Sequence, residues 1–163
     1  MEAGDRSSSA RDRETSTPER PARASHGTLR ALLLALLAVG LAGTGAELLL
    51  LEHTEEFWQL VPVVLLPLGL VVTVVFGLLP RRATLRVFQL VMTLVAVAGG
   101  LGLYQHYAGN VAFELEMAPS LGGWELFRMS MMGATPALAP GSMAQLGLLG
   151  LACAFHHPVT RER

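Results

Sequence analysis

Residues 60–79 read LVPVVLLPLGLVVTVVFGLL, an uninterrupted run without a charged side chain. A helix rises about 1.5 Å per residue, so a run of this length crosses the roughly 30 Å hydrocarbon core of a bilayer. Inside lipid, each backbone polar group has to be paired within its own segment, which predicts a helix. The run is continuously apolar rather than alternating, and this excludes a strand of a transmembrane barrel.

Three further apolar runs of comparable length flank this one, at residues 29–51, 85–105 and 134–156. Only Arg30 and Glu47 interrupt the first of them. The sequence therefore predicts an all-α polytopic membrane protein in which four transmembrane helices form an antiparallel bundle. The membrane domain would cover residues 29–158, with its spans at about 29–51, 60–79, 85–105 and 134–156.

The composition agrees with a protein built around lipid. The 163 residues are 52% hydrophobic and only 15% charged, with a mean hydropathy of +0.46, whereas soluble domains carry about a quarter charged residues. A net charge of −1 without a clustered basic face gives no reason to expect a nucleic-acid partner. The chain has no Lys and no Ile, whose codons are AT-rich, which indicates a high-GC bacterial gene. The single cysteine, Cys153, excludes an internal disulfide.

The arginines predict the orientation in the membrane. Short basic loops stay in the cytoplasm, and arginines occupy the approach to the first span, the link between spans two and three, and the C-terminal end. The other two connections hold one arginine, Arg128, beside several glutamates. We therefore expect both termini in the cytoplasm and a location in the bacterial cytoplasmic membrane.

The segments outside the spans differ in character. Residues 1–28 are rich in Ser, Thr, Arg, Glu and Pro, a composition that predicts a disordered cytoplasmic tail because it can bury little apolar surface. Residues 159–163 form a short cytoplasmic C-terminal tail. His156 and His157 precede it and are interpreted as membrane-boundary residues.

The extracytoplasmic loop, residues 106–133, is the longest connection. Apolar and polar residues alternate from Val111 to Met117, a period-two pattern that predicts an extended segment. Ser120 is a candidate N-cap for a following helix. That short amphipathic helix, over residues 120–132, would rest on the outer leaflet through an apolar face at helical spacing: Leu121, Trp124, Phe127 and Met131.

Small and mildly polar residues recur at helical spacing in each span, and such stripes favour close helix packing. We predict that these stripes point into the bundle, with amide and hydroxyl groups bonding neighbouring helices. They are Ala38, Ala42 and Ala46; Gly69, Thr73 and Gly77; Gln89, Thr93, Ala96 and Gly100; Ser142, Gln145 and Ala152; and Gly147, Gly150 and Ala154.

Titratable side chains gather at the outer rim of the predicted bundle. The candidate polar cluster consists of Glu47, Glu52, His53, Tyr104, His106 and Glu114. Intramembrane acids such as Glu47 are costly and often functional. Imidazoles and carboxylates suit zinc or copper, and two opposed imidazoles can ligate a haem. His53 and His106 are thus candidate ligands for a metal ion or haem b, although the sequence contains no recognised ligand spacing.

Three functions are compatible with this pattern. The leading one is a non-enzymatic accessory, sensory or assembly protein, which contacts lipid and another membrane protein through the outer loop, from Asn110 to Met132. A metal- or haem-binding redox protein using His53 and His106 is the first alternative. A small transporter using Glu47, Gln89 and Gln145 is the second.

Overall fold

The computed structural model describes residues 20–52, 54, 57–133, 140–157 and 159, with side chains from residue 27 onward. This part of the chain folds into five α-helices. They are α1 (Arg20–Leu50), α2 (Phe57–Leu78), α3 (Arg82–Met117), α4 (Gly123–Met131) and α5 (Gly141–Ala154). The prediction of an all-α protein is confirmed. The predicted tail disorder concerns residues that lie mostly outside the described part.

Three of these helices are long and apolar enough to cross a membrane: Gly27–Leu50 within α1, Phe57–Leu78 and Arg82–Met117. Helix α5 is also apolar but has 14 residues, a length of about 21 Å that falls short of the hydrocarbon thickness. The first residues of the predicted fourth span, 134–139, lie outside the described part.

Helix packing places α1 beside α2 and α5, and α3 beside α2, α5 and α4. Helices α1 and α3 share few contacts. The core between the helices is apolar and is built from side chains of α1, α2, α3 and α5. Its fully buried members include Leu37, Leu41, Leu66, Phe76, Phe88, Met92 and Val95.

The contact between α3 and α5 is made by backbone as much as by side chains. A Cβ atom added to Gly99 would lie 2.8 Å from the Cα of Ala144, and one added to Gly147 would lie 2.7 Å from the Cα of Ala96. Two helices approach this closely only where the facing residues lack bulk. The stripe of Gly147, Gly150 and Ala154 is buried here, as predicted.

Several of the other predicted stripes do not face inward. Ala42, Ala46, Thr93, Gly100, Ser142, Gln145 and Ala152 are exposed. In α1 the buried positions are Leu37 and Leu41, and in α3 they include Phe88, Met92, Val95 and Gly99. Large apolar side chains fill more of the space between helices than small ones, so they decided which face turned inward.

Helix α3 does not stop where the predicted loop begins. It continues to Met117, so the extended segment predicted over Val111–Met117 is wrong. Extending a helix adds one hydrogen bond for each residue fixed, whereas a lone extended segment has no strand to pair with. The predicted cap is also wrong, because α4 begins after Gly122 and Ser120 lies in the preceding turn.

Candidate functional site

The α4 end of the molecule, opposite the end where α3 begins at Arg82, carries the described members of the predicted polar cluster. Glu47 is exposed in the last turn of α1, and Glu52 is exposed in the turn that follows. Tyr104 is 67% exposed on α3. His106 and Glu114 are half-buried on the same helix, about 12 Å apart along its axis. His53 lies outside the described residues.

The shared site for Glu47 and His106 stays a prediction. The two residues belong to α1 and α3, which have few contacts with each other. Among the described residues, no three His, Cys, Asp or Glu side chains are placed to hold a metal ion. The metal or haem hypothesis therefore has no support from the described geometry, and its His53 member is untested.

The residues of the transporter hypothesis are also dispersed. Gln145 is exposed on α5, Gln89 is half-buried on α3, and Glu47 is exposed at the end of α1. A polar pathway needs these groups on a common inner surface. The described part of the chain does not provide one from these three residues.

At the α4 end, helix α4 packs against the last part of α3. Asn110 of α3 is 4% exposed, and its Nδ2 donates a hydrogen bond of 2.8 Å to the backbone oxygen of Ser130. Ser130 lies in the last turn of α4, where carbonyls lack intrahelical donors. The Asn110 side chain therefore caps α4 and fixes it to α3.

Aromatic side chains continue this contact. The rings of Tyr107 and Phe127 lie 5.9 Å apart, and those of Phe127 and Trp124 stack at 5.3 Å. Trp124 is nevertheless 74% exposed. The two helices are thus joined at a few points and do not close completely around one another.

An apolar groove remains between them. It has a volume of about 350 Å³ and is lined by five residues, none of which contributes polar surface to it. We call it the α3–α4 groove; its lining consists of Leu103, Tyr104, Tyr107, Phe127 and Met131.

The opposite end of the molecule, which we call the arginine end, is tied together by hydrogen bonds. Arg30 of α1 donates to the backbone oxygen of Phe155 (3.5 Å), and the Nε of Arg82 donates to that of Val159 (3.3 Å). His157 is buried with its ring 5.0 Å from that of Phe76. Burial lowers the pKa of His157 from its usual 6.5, and the nearby positive charge of Arg30 lowers it further.

No family model, curated protein or solved structure matches this chain. The function must therefore be argued from the geometry. Neither end of the described chain combines a nucleophile, a general base and a binding cavity, which are the elements from which catalysis is inferred.

The sequence did contain signals for the residues that matter at the α4 end. Leu103, Tyr107, Val111 and Leu115 recur every four residues, a helical pattern that competes with the alternating one over the same stretch. Asn110, the only asparagine, lies between two of them. His157 carries no comparable signal, because its burial depends on Phe76, 81 positions earlier in the chain.

Proposed function

We propose that this chain is a non-enzymatic accessory or assembly protein of the bacterial cytoplasmic membrane, which binds another membrane protein through α4 and the last part of α3. It crosses the bilayer four times, with α5 and the residues before it as the fourth span. Both termini lie in the cytoplasm. The observation that carries the proposal is the length of α3.

Helix α3 has 36 residues and is about 54 Å long, far more than the roughly 30 Å of hydrocarbon. Even a tilt of 40°, the upper end for membrane helices, leaves about 41 Å along the bilayer normal. With Arg82 at the cytoplasmic boundary, the helix leaves the hydrocarbon near Tyr104. Residues 105–117, which we call the α3 extension, then lie beyond it.

The far part of the α3 extension presents large apolar side chains beyond the level that lipid tails reach. Phe113 is 51% exposed and Met117 is 70% exposed. They are four residues apart and so lie on the same side of the helix. Along the helix axis, Phe113 lies about 47 Å from Arg82 and Met117 lies about 53 Å from it. Exposed apolar surface at such a position is typical of a protein-binding site, and an integral membrane protein with a similarly projecting surface is the partner that fits.

The topology is tested by thiol labelling of intact cells. In a Cys153→Ala background, a cysteine at Ser120 should react with a membrane-impermeant reagent, and one at Ala83 should react only after the membrane is opened. The opposite pattern would reverse the orientation. Reaction at both positions would contradict the four-span topology.

The partner surface is tested by photo-crosslinking in native membranes. A photoreactive phenylalanine analogue at Phe113 should give a discrete crosslink to one membrane protein. The same analogue at Val97, which is exposed on α3 within the proposed span, is the matched control and should give only lipid adducts. Met117→Asp should abolish the Phe113 crosslink. If Phe113 crosslinks only to lipid or to a second copy of this chain, the proposed partner does not exist.

A further inference from the structure

We infer that the α3–α4 groove binds the glycerol-proximal part of a phospholipid acyl chain from the outer leaflet. The inference goes beyond the proposed protein-binding role, because it concerns a different surface of the same element. It rests on the membrane location and topology proposed above.

The depth of the groove suits an acyl chain. Leu103, Tyr104 and Tyr107 lie about 32 to 38 Å from Arg82 along α3, so the groove lies at the boundary between hydrocarbon and headgroups. Methylenes next to the glycerol backbone occupy that level in every phospholipid. Tyrosine is enriched at this level because its ring is apolar and its hydroxyl is polar.

The chemistry of the lining also suits an alkyl chain. The rings of Tyr104 and Tyr107 line the groove, yet no polar surface faces into it, so their hydroxyls lie outside the lining. Water filling such a groove would find no hydrogen-bonding group, and exposing the apolar lining to water would be unfavourable. An alkyl chain covers the apolar lining and needs no hydrogen-bond partner.

The size of the groove suits an alkyl chain. Its volume is about 350 Å³ and its lining comes from five side chains of two helices, which leaves room for a stretch of extended alkyl chain. The groove also keeps its shape, because Asn110 holds α4 in place through Ser130.

The test uses the full chain in nanodiscs of phosphatidylethanolamine and phosphatidylglycerol that include a phospholipid with a diazirine on one acyl chain. After irradiation, peptide mapping should show labelling concentrated on the segments around Tyr104 and Phe127. Labelling of the exposed face of α2, for example around Val64, reports ordinary lipid contact. It also shows that the chain is inserted.

Two neighbouring methionines provide a matched pair of variants. Met131→Trp should fill the groove and lower its labelling at least about tenfold, the ratio produced by 1.4 kcal/mol of lost affinity. Met132→Trp, at a position 75% exposed and outside the groove lining, should leave labelling unchanged. Tyr104→Ala removes one wall without touching the core, and it should also lower labelling if Met131→Trp proves unstable.

Each other outcome overturns the inference. Equal labelling of the groove and of α2 would mean ordinary boundary lipid. An unlabelled groove beside a labelled α2 would mean that no acyl chain enters it. If α2 is not labelled either, the proposed membrane location fails instead.

Discussion

Helix α3 meets α5 along its first part and α4 along its second, and the two contacts differ in kind. Against α5, Gly99 and the facing Ala144 bring the backbones together, so that no added carbon fits. Against α4, one asparagine hydrogen bond and a few aromatic rings leave an apolar groove between the helices. Atoms fill the first contact, whereas the second leaves space between the two helices.

The largest difference in stability is expected between substitutions at two adjacent glycines of α3. Gly99→Ala should lower the free energy of unfolding by about 1–3 kcal/mol, because its new Cβ meets the backbone of Ala144. Gly100→Ala has nothing within 4 Å and should be neutral or stabilising by up to about 1 kcal/mol through helix propensity. Thermal unfolding in detergent measures both variants. Equal melting temperatures would show that the close approach of α3 and α5 is not what holds them.

The α4 contact should respond more mildly. Asn110→Ala removes the bond to the Ser130 carbonyl and should cost about 1 kcal/mol, the usual value for one hydrogen bond. The loss should be local, with faster amide exchange in α4 and unchanged exchange in α1 and α2.

Ser130→Ala is the control for that variant. It keeps the backbone carbonyl that Asn110 binds, and the Ser130 hydroxyl is buried without a hydrogen-bond partner among the described residues. Removing this hydroxyl should leave α4 exchange unchanged or slow it slightly. Faster exchange in Ser130→Ala than in Asn110→Ala would contradict the capping role of Asn110.

The smallest effect is expected at the arginine end and depends on pH. The pKa of His157 is lowered below 6.5 in the folded protein, so below pH 6.5 the unfolded chain binds more protons than the folded one. Stability should therefore fall as the pH is lowered through this range and should not change above it on account of His157.

His157→Asn, which keeps an acceptor near the Val159 amide, should remove that part of the pH dependence when unfolding is followed between pH 5 and 7.5. His156→Asn is the matched control, because His156 is exposed and its φ of 47° suits asparagine. If the pH dependence survives in His157→Asn and disappears in His156→Asn, it comes from His156 and not from His157.

Sequence patterns predicted the structure well wherever one segment decides its own structure. The apolar runs predicted α1, α2 and most of α3 because the cost of unpaired backbone in lipid depends only on the segment itself. The prediction for residues 111–117 was wrong because an alternating and a helical pattern coexist there. The helical pattern prevailed because residues 111–117 continue a helix that is already formed in the preceding part of α3.

Side-chain partners were predicted less well. Thr73 and Thr93 were expected to bond neighbouring helices, yet each donates to the carbonyl four residues earlier in its own helix, Gly69 and Gln89 respectively. That carbonyl is always within reach of a helical threonine, so no second helix is needed. For the polar cluster, the structure gives the exposure of every member except His53, and it gives no pairing between Glu47 and His106.

The sequence by itself determined that the chain is helical and rich in segments able to cross a membrane, because length and apolarity are properties of single segments. Only the tertiary structure decided that α3 continues to Met117, that α4 packs on it through Asn110, and that His157 is buried on Phe76. Each of these depends on which helix faces meet. That choice is made by the summed packing of side chains distant in sequence, which no local pattern records.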